Sequence, residues 1–249
     1  MIKDLKIISL VPSLTELLVD LGLEDNIVGV TKFCIHPKNL RKDKVVVGGT
    51  KNIHLEKIKA LQPDFILCNK EENTKAIVEN CSKIATTHVS DICTIDDIIA
   101  LTTYYGTLFS CEKKAVIIND ELKAKIKDFK NFLADKATLK VVYFIWKNPW
   151  MIAANNTFIN HLLAICKFDN CYKDSIRYPE IFLEDLKTKE IDVIFLSSEP
   201  FPFKEKNSLD FKKHAKNTNI VLVDGEYFSW YGSRLLKAFD YFKELRKRL

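Results

Sequence analysis

Ile53-His54-Leu55-Glu56-Lys57-Ile58-Lys59, followed by Asp64-Phe65-Ile66, returns later in the chain as Ile181-Phe182-Leu183-Glu184-Asp185-Leu186-Lys187 and then Asp192-Val193-Ile194. The offset is a constant 128 residues, and the matched positions keep the same spacing in both copies. Each copy reads as a short amphipathic helix, a turn, and a buried strand entered through aspartate. Working outward, each copy occupies the same place in a longer order. Ahead of the first, residues 6–11 read as a strand, Pro12-Ser13 as a turn, and Thr15-Glu16-Leu17-Leu18 opens a helix that stops near Gly22. Ahead of the second, residues 140–146 read as a strand, a longer turn follows, and Thr157-Phe158-Ile159 opens a helix through Ile165. Strands alternating with helices call for a parallel sheet with covering helices in each half. The expected class is α/β with two lobes.

Between the halves, residues 94–105 read as a helix ending at Gly106. Residues 112–133 carry Val116, Ile117, Leu122, Ile126, Phe129 and Leu133 at the spacing of one long amphipathic helix. At about 1.5 Å per residue such a helix reaches roughly 30 Å, enough to bridge two lobes stiffly. The expected organisation is an N-terminal lobe at 1–105, a bridging helix at 106–134 and a C-terminal lobe at 135–249.

Composition narrows the function. Thirty-eight Lys and Arg against 33 Asp and Glu leave a net charge of +5, spread too thinly for a nucleic-acid surface. The densest basic run, Lys243, Arg246, Lys247 and Arg248, reads as the solvated end of a last helix, where cations suit the helix dipole. The longest apolar stretches are strand-length, whereas a bilayer span needs about 20 apolar residues. Residues 1–6 lead straight into Ile7-Ile8, without the basic start, apolar middle and cleavage site of a signal peptide. Seven cysteines, Cys34, Cys68, Cys81, Cys93, Cys111, Cys166 and Cys171, show no CxxC spacing and suit free thiols in a reducing compartment, with Cys68 and Cys166 in the core. The expected location is cytoplasmic, or periplasmic or cell-surface if a leader has been removed.

Ligands of open α/β sheets bind beyond the carboxyl ends of the strands. In the second half those segments are rich in rings: Trp146-Lys147-Asn148-Pro149-Trp150, Ser197-Ser198-Glu199-Pro200-Phe201-Pro202-Phe203, and Asp224-Gly225-Glu226-Tyr227-Phe228-Ser229-Trp230-Tyr231-Gly232-Ser233-Arg234. Rings beside proline and glycine make rigid walls for a broad apolar or conjugated ligand. Asp224 and Glu226 add carboxylates to the last of these loops.

The latter two segments resemble the helical-backbone (class III) periplasmic-binding-protein-like family, the receptors for cobalamin, haem and ferric siderophores. Residues 8–16 (Ile-Ser-Leu-Val-Pro-Ser-Leu-Thr-Glu), Val28-Gly29-Val30-Thr31, Val47-Gly48-Gly49-Thr50 and residues 61–67 (Leu-Gln-Pro-Asp-Phe-Ile-Leu) resemble its opening half. The likeness covers nearly the whole chain and is nearest to the cobalamin-binding branch. It implies two Rossmann-like three-layer lobes joined by a long bridging α-helix, a ligand cleft between lobes, no catalysis and no intrinsic cofactor. The implied ligand is a corrinoid or iron chelate. By position, Pro12, Ser13, Phe33, Gly49, Trp146, Phe201, Trp230 and Arg234 are implied to face that cleft. Transport members seat one acidic residue of each lobe on an ABC transporter permease. Glu71 or Glu72 and Glu199 or Glu205 lie at the matching places, with Glu72 and Glu199 as the implied docking pair.

Two other chemistries compete. Cys34-Ile35-His36 offers thiolate and imidazole to a soft or borderline metal, with Asp224, Glu226 and His161 as further donors, or His36 or Cys34 to the central metal of a bound macrocycle. An enzyme would need a signature, and GxSxG, Walker, HExxH and GxGxxG patterns are all missing from the sequence. A partner-binding relative without a transport role is the third reading.

Overall fold

A computed structural model describes residues 4–215 and 218–249. Residues 1–3, part of the stretch read for a leader, lie outside the described residues. The chain divides into two compact units: Met1–Ala124 with Trp230–Leu236, and Lys125–Ser229 with Lys237–Leu249.

The first unit is built on a sheet of five parallel strands, β1 (Ile7–Ser9), β2 (Ile27–Val30), β3 (Val45–Val46), β4 (Phe65–Asn69) and β5 (Thr86–Ser90), in the order β3-β2-β1-β4-β5. Its middle strand, β1, is buried throughout, as a parallel strand covered on both faces must be. Helix α1 (Pro12–Asp20) begins on the proline that the sequence reads as a turn. Pro12 sits in the first helical turn, where its missing N–H costs nothing. Then come α2 (Leu40–Asp43), α3 (Leu55–Leu61), α4 (Lys75–Ser82) and α5 (Ile95–Leu108). Ile8, Leu10, Ile58, Ile66, Ile77 and Cys81 pack one side of the sheet. Thr94 caps α5 through a reciprocal box with Asp97. Gly106 does not end α5. It lies inside it because a Cβ there would stand 2.6 Å from the Ala115 Cβ, so glycine permits the close approach of the next helix.

That next helix, α6 (Glu112–Phe132), contains the boundary between the units at Ala124. Ala115, Ile118, Leu122 and Phe129 are buried along it, whereas Val116 and Ile117, read as part of its apolar face, are exposed. The buried stripe therefore runs one position away from the one those two residues suggest.

In the second unit β6 (Leu139–Trp146) is the central strand. β7 (Met151–Ile152) pairs with it antiparallel and β8 (Phe168–Asn170) parallel, with α7 (Phe158–Ile165) between them in sequence. β9 (Val193–Ser197) and β10 (Asn219–Val223) extend the parallel sheet on its other side. Val142, Phe144, Ile194 and Leu196 meet Phe203 and Phe211 on one side of the sheet. Short α8 (Ser208–Phe211) and α9 (Gly225–Ser229) follow β9 and β10, and α10 (Leu235–Arg248) closes the chain. Phe239 and Phe242 of α10 pack on Phe129, with ring centroids 5.4 and 6.2 Å away.

The internal echo is structural. In both copies a short helix precedes the strand that pairs parallel with the unit's central strand: α3 before β4, and the segment Leu183–Thr188 before β9. The second is a 3-10 helix, not an α-helix, with Phe182 amide bonded to Asp185 at its start. The paired aspartates do the same work. Asp64 Oδ2 accepts the Lys6 amide at 2.8 Å, and Asp192 Oδ2 accepts the Lys140 amide at 2.6 Å. At the C-terminus Lys247 and Arg248 are exposed, but Arg246, read as solvated, is buried.

Candidate functional site

The carboxyl ends of β1, β2, β4 and β5 carry a layer of polar side chains in the first unit. Thr15 Oγ1 donates to Val11 O at 2.9 Å and lies 2.8 Å from Ser9 Oγ. Asn69 Nδ2 donates to Ser90 O and Oγ at 3.0 and 3.1 Å, while Asn69 Oδ1 accepts the amides of Glu71 and Glu72 at 2.8 and 3.2 Å. Asn73 donates to Thr50 O at 3.0 Å. These side chains occupy backbone groups freed where the strands end, which fixes the loops that follow.

The returning segment Trp230–Leu236 completes this end of the unit. Tyr231 hydroxyl lies 3.3 Å from Ser90 Oγ, and burial pushes its pKa up against opposing hydrogen bonds from Ser90 and Ser13. Arg234 Nε donates to Glu16 Oε2 at 2.8 Å, both side chains being almost wholly buried. The same guanidinium stands 5.0 Å from the centroid of the Trp230 ring. His36 meets that ring edge-on at 5.5 Å and 77°.

Several predicted residues therefore meet in the first unit. Pro12 and Ser13 open α1, with Ser13 hydrogen-bonded to Tyr231. Arg234 and His36 both pack against the Trp230 ring. Phe33 is 48% exposed, and a Cβ added to Gly49 would stand 3.2 Å from its Cε2. Cys34 behaves differently from its neighbour. It is fully buried with Sγ 3.1 Å from Thr15 Oγ1 and 3.2 Å from Thr31 Oγ1, and burial pushes its thiol pKa up. Glu72 is partly buried, and burial raises its carboxyl pKa against the opposing charge of Lys51 and a hydrogen bond from Thr50.

In the second unit the predicted loops follow β6, β9 and β10. Trp146, more than a third exposed, stands edge-on to Phe201 at 5.8 Å. Trp150 and Phe203 instead turn inward, with ring centroids 6.2 Å apart and planes within 9°, and pack into the core. Glu199 Oε1 accepts from Ser229 Oγ at 2.7 Å. Asp224 Oδ1 accepts the Glu226 amide at 3.0 Å, so this carboxylate buttresses the start of α9. Gly225 permits that turn, since a Cβ there would fall 2.4 Å from Ser197 Oγ. Glu205 is exposed, and His161 lies on α7. Among the described residues no group of three or more His, Cys, Asp or Glu is placed to hold a metal ion.

A family model described as periplasmic binding protein matches residues 7–221. The chain belongs to this family. Among its relatives, the vitamin B12-binding protein of Pectobacterium atrosepticum is 26% identical over 240 residues, covering 94% of this chain and 85% of that protein. An uncharacterised ABC transporter substrate-binding lipoprotein of Bacillus subtilis is 25% identical over 247 residues, with 94% and 77% covered. The solved periplasmic heme-binding protein of Roseiflexus sp. RS-1, in apo form, superposes with a TM-score of 0.83 over 98% of both chains at 15% identity, which establishes the shared two-unit α/β fold. No helix among the described residues is long and apolar enough to cross a membrane.

Sequence reasoning did not find Glu16, Tyr231, Asn69 or Ser90 as parts of this end of the unit. Glu16 carried a signal: it is the one carboxylate among residues 12–18 of α1, all of them buried, and a buried carboxylate calls for a cation, which Arg234 supplies.

Proposed function

We propose that the protein captures a broad metal chelate, a corrinoid or an iron chelate, and hands it on without transforming it. The observation that carries this reading is Phe33, a large ring left half in solvent and braced against Gly49 in the loop after β2. An exposed ring in a fixed loop is the feature of a wall for a flat apolar surface. Relatives named for vitamin B12 support the corrinoid. Calorimetric and visible-absorption titration with cobalamin, cobinamide, haemin and a ferric siderophore tests it. Saturable one-to-one binding of a chelate is expected; silence across the panel overturns the reading.

Docking on an ABC permease through one carboxylate per unit belongs to the same proposal, Glu72 and Glu199 being the pair the family resemblance implies. Both are partly buried, whereas Glu205 stands exposed. Charge reversal at Glu72, Glu199 and Glu205 should therefore abolish uptake while leaving ligand binding intact. Seven cysteines without CxxC spacing suggest a form that handles the ligand in a reducing compartment. Cell fractionation decides between that form and the extracytoplasmic one that the relatives' names imply.

A further inference from the structure

Cys68 lies on β4 and Cys81 on the last turn of α4, and their thiols meet. The pattern of each element puts them there. Alternate residues of a strand share a face, so Cys68 stands beside Ile66. Helix positions four apart share a face, so Cys81 stands beside Ile77, and these two are the buried residues of α4. All four side chains belong to one packed cluster, and neither cysteine is exposed. The two thiols are hydrogen-bonded to each other. That bond holds the Cys81 thiol below its usual pKa, while the same bond and burial push Cys68 up, so Cys68 is the donor. Cys34, Cys111 and Cys171 have other partners: the hydroxyls of Thr15 and Thr31 for the first, and the carbonyls of Tyr105 and Glu190, each at 3.7 Å, for the others.

We propose that Cys68 and Cys81 form a site of oxidative cross-linking, at which a small-molecule or protein disulfide acts as oxidant and the product clamps α4 onto β4. Such exchange proceeds by attack of a thiolate on a disulfide sulfur. The Cys81 thiolate attacks one sulfur of the oxidant, whose other sulfur leaves as a thiolate. The Cys68 thiolate then attacks the Cys81 sulfur of the mixed disulfide and releases the second. One S–S bond has formed and one has broken. Both cysteine protons end on the oxidant's sulfurs, and the oxidant carries away two electrons. In a reducing compartment the pair stays as two thiols. Burial sets access: an oxidant reaches Cys81 when α4 opens, or before it docks during folding. A helix of eight residues anchored in the core by Ile77 and Cys81 is an element that can open locally. The loop closed by the bond, residues 69–80, carries Asn69, Glu71, Glu72 and Asn73, whose hydrogen bonds shape the carboxyl end of β4. Oxidation therefore fixes that loop whether or not a ligand is bound.

The test uses the full chain, refolded from denaturant in a buffer of reduced and oxidised glutathione, alkylated, and digested with trypsin without reductant. The expected product is residues 60–70 joined to residues 76–83, a pair of peptides that separates on reduction, with the other cysteines alkylated. The oxidised chain should melt about 5–10 °C above the reduced chain, because the bond constrains a loop of this length in the unfolded state. In Cys68→Ala and Cys81→Ala the melting temperature should be the same in oxidising and reducing buffer. Recovery of the two peptides unjoined, or of either joined to a different cysteine, would overturn the site, as would a melting temperature that still follows the redox buffer in the variants. Equal melting of oxidised and reduced parent would overturn the clamp. Should the variants fail to fold, the peptide map of the parent decides alone, since it reads the bond directly.

Discussion

Glu16 and Arg234 lie 218 positions apart in sequence and form a buried ion pair at 2.8 Å, with side chains 7% and 6% exposed. The pair joins α1 to the segment Trp230–Leu236 within the first unit. Breaking one side of a buried pair leaves an uncompensated charge and costs about 3–5 kcal/mol. Glu16→Gln and Arg234→Met should each lower stability by that order in urea unfolding. The double variant Glu16→Leu/Arg234→Met should recover most of the loss, because neither charge is then stranded. Additive losses in the double variant would show that the two side chains act independently.

Arg246 presents the opposite case. It is 4% exposed, its Nη2 donates to Ala137 O at 2.5 Å, and its guanidinium stands 4.9 Å from the Phe168 ring centroid. Nε and Nη1 meet no acceptor among the described residues, and burial pulls its pKa down. The cation is held with its desolvation only partly offset, so a well-packed apolar residue of similar length should be more stable. Arg246→Met is expected to raise stability by about 1 kcal/mol or more after the lost Ala137 bond is counted. A lower melting temperature for this variant would show that the cation–π contact and single hydrogen bond outweigh desolvation.

The same residue shows where the sequence stops informing. A run of Lys and Arg at a helix end reads as solvated, and nothing in the one-dimensional pattern tells that Arg246 faces Phe168 while Lys247 and Arg248 face water. The repeated Leu-Glu and Asp motifs were legible because each copy builds its unit locally: helix, turn, strand, with Asp64 and Asp192 closing the start of the central strand. Phe33, Gly49, Trp230 and His36 were legible as residue types at loop positions. The edge-on contact of His36 with Trp230 was not, since it depends on Trp230 returning to the first unit from far along the chain. Gly106 misread as a stop has the same cause, a neighbour that only the packed helices reveal.

His88 ties stability to pH. Its Nδ1 lies 3.0 Å from the Tyr105 hydroxyl, and burial lowers its pKa below the usual 6.5. The unfolded chain therefore binds a proton there more readily than the folded one. The stabilising contribution is complete above about pH 6.5 and declines as pH falls from there toward the depressed folded value. His88→Gln should flatten this part of the stability–pH profile measured by thermal unfolding. An unchanged slope between pH 6.5 and 5 would place the proton sensitivity elsewhere.

Phe33 is half exposed and Trp230 buried, so variants at the two separate a loss of ligand contact from a loss of structural support. Trp230 is buried beneath Arg234, so Trp230→Ala removes core packing and should cost about 3–5 kcal/mol of stability. Any loss of affinity in that variant is then entangled with loss of fold. Phe33, at 48% exposed, contributes little to the core, and its ring is braced by the Gly49 backbone on one side and approached by Lys32 Nζ at 5.0 Å. Phe33→Ala should leave the melting temperature within a degree or so of the parent, yet weaken chelate binding by about 1–3 kcal/mol, as expected for the loss of an aromatic anchor. Gly49→Ala should act in the same direction more weakly, because the added methyl presses on the Phe33 edge without removing the ring. Calorimetry on the two variants beside the parent separates the outcomes: unchanged affinity in Phe33→Ala would remove this end of the first unit from the ligand surface, whatever Trp230→Ala does.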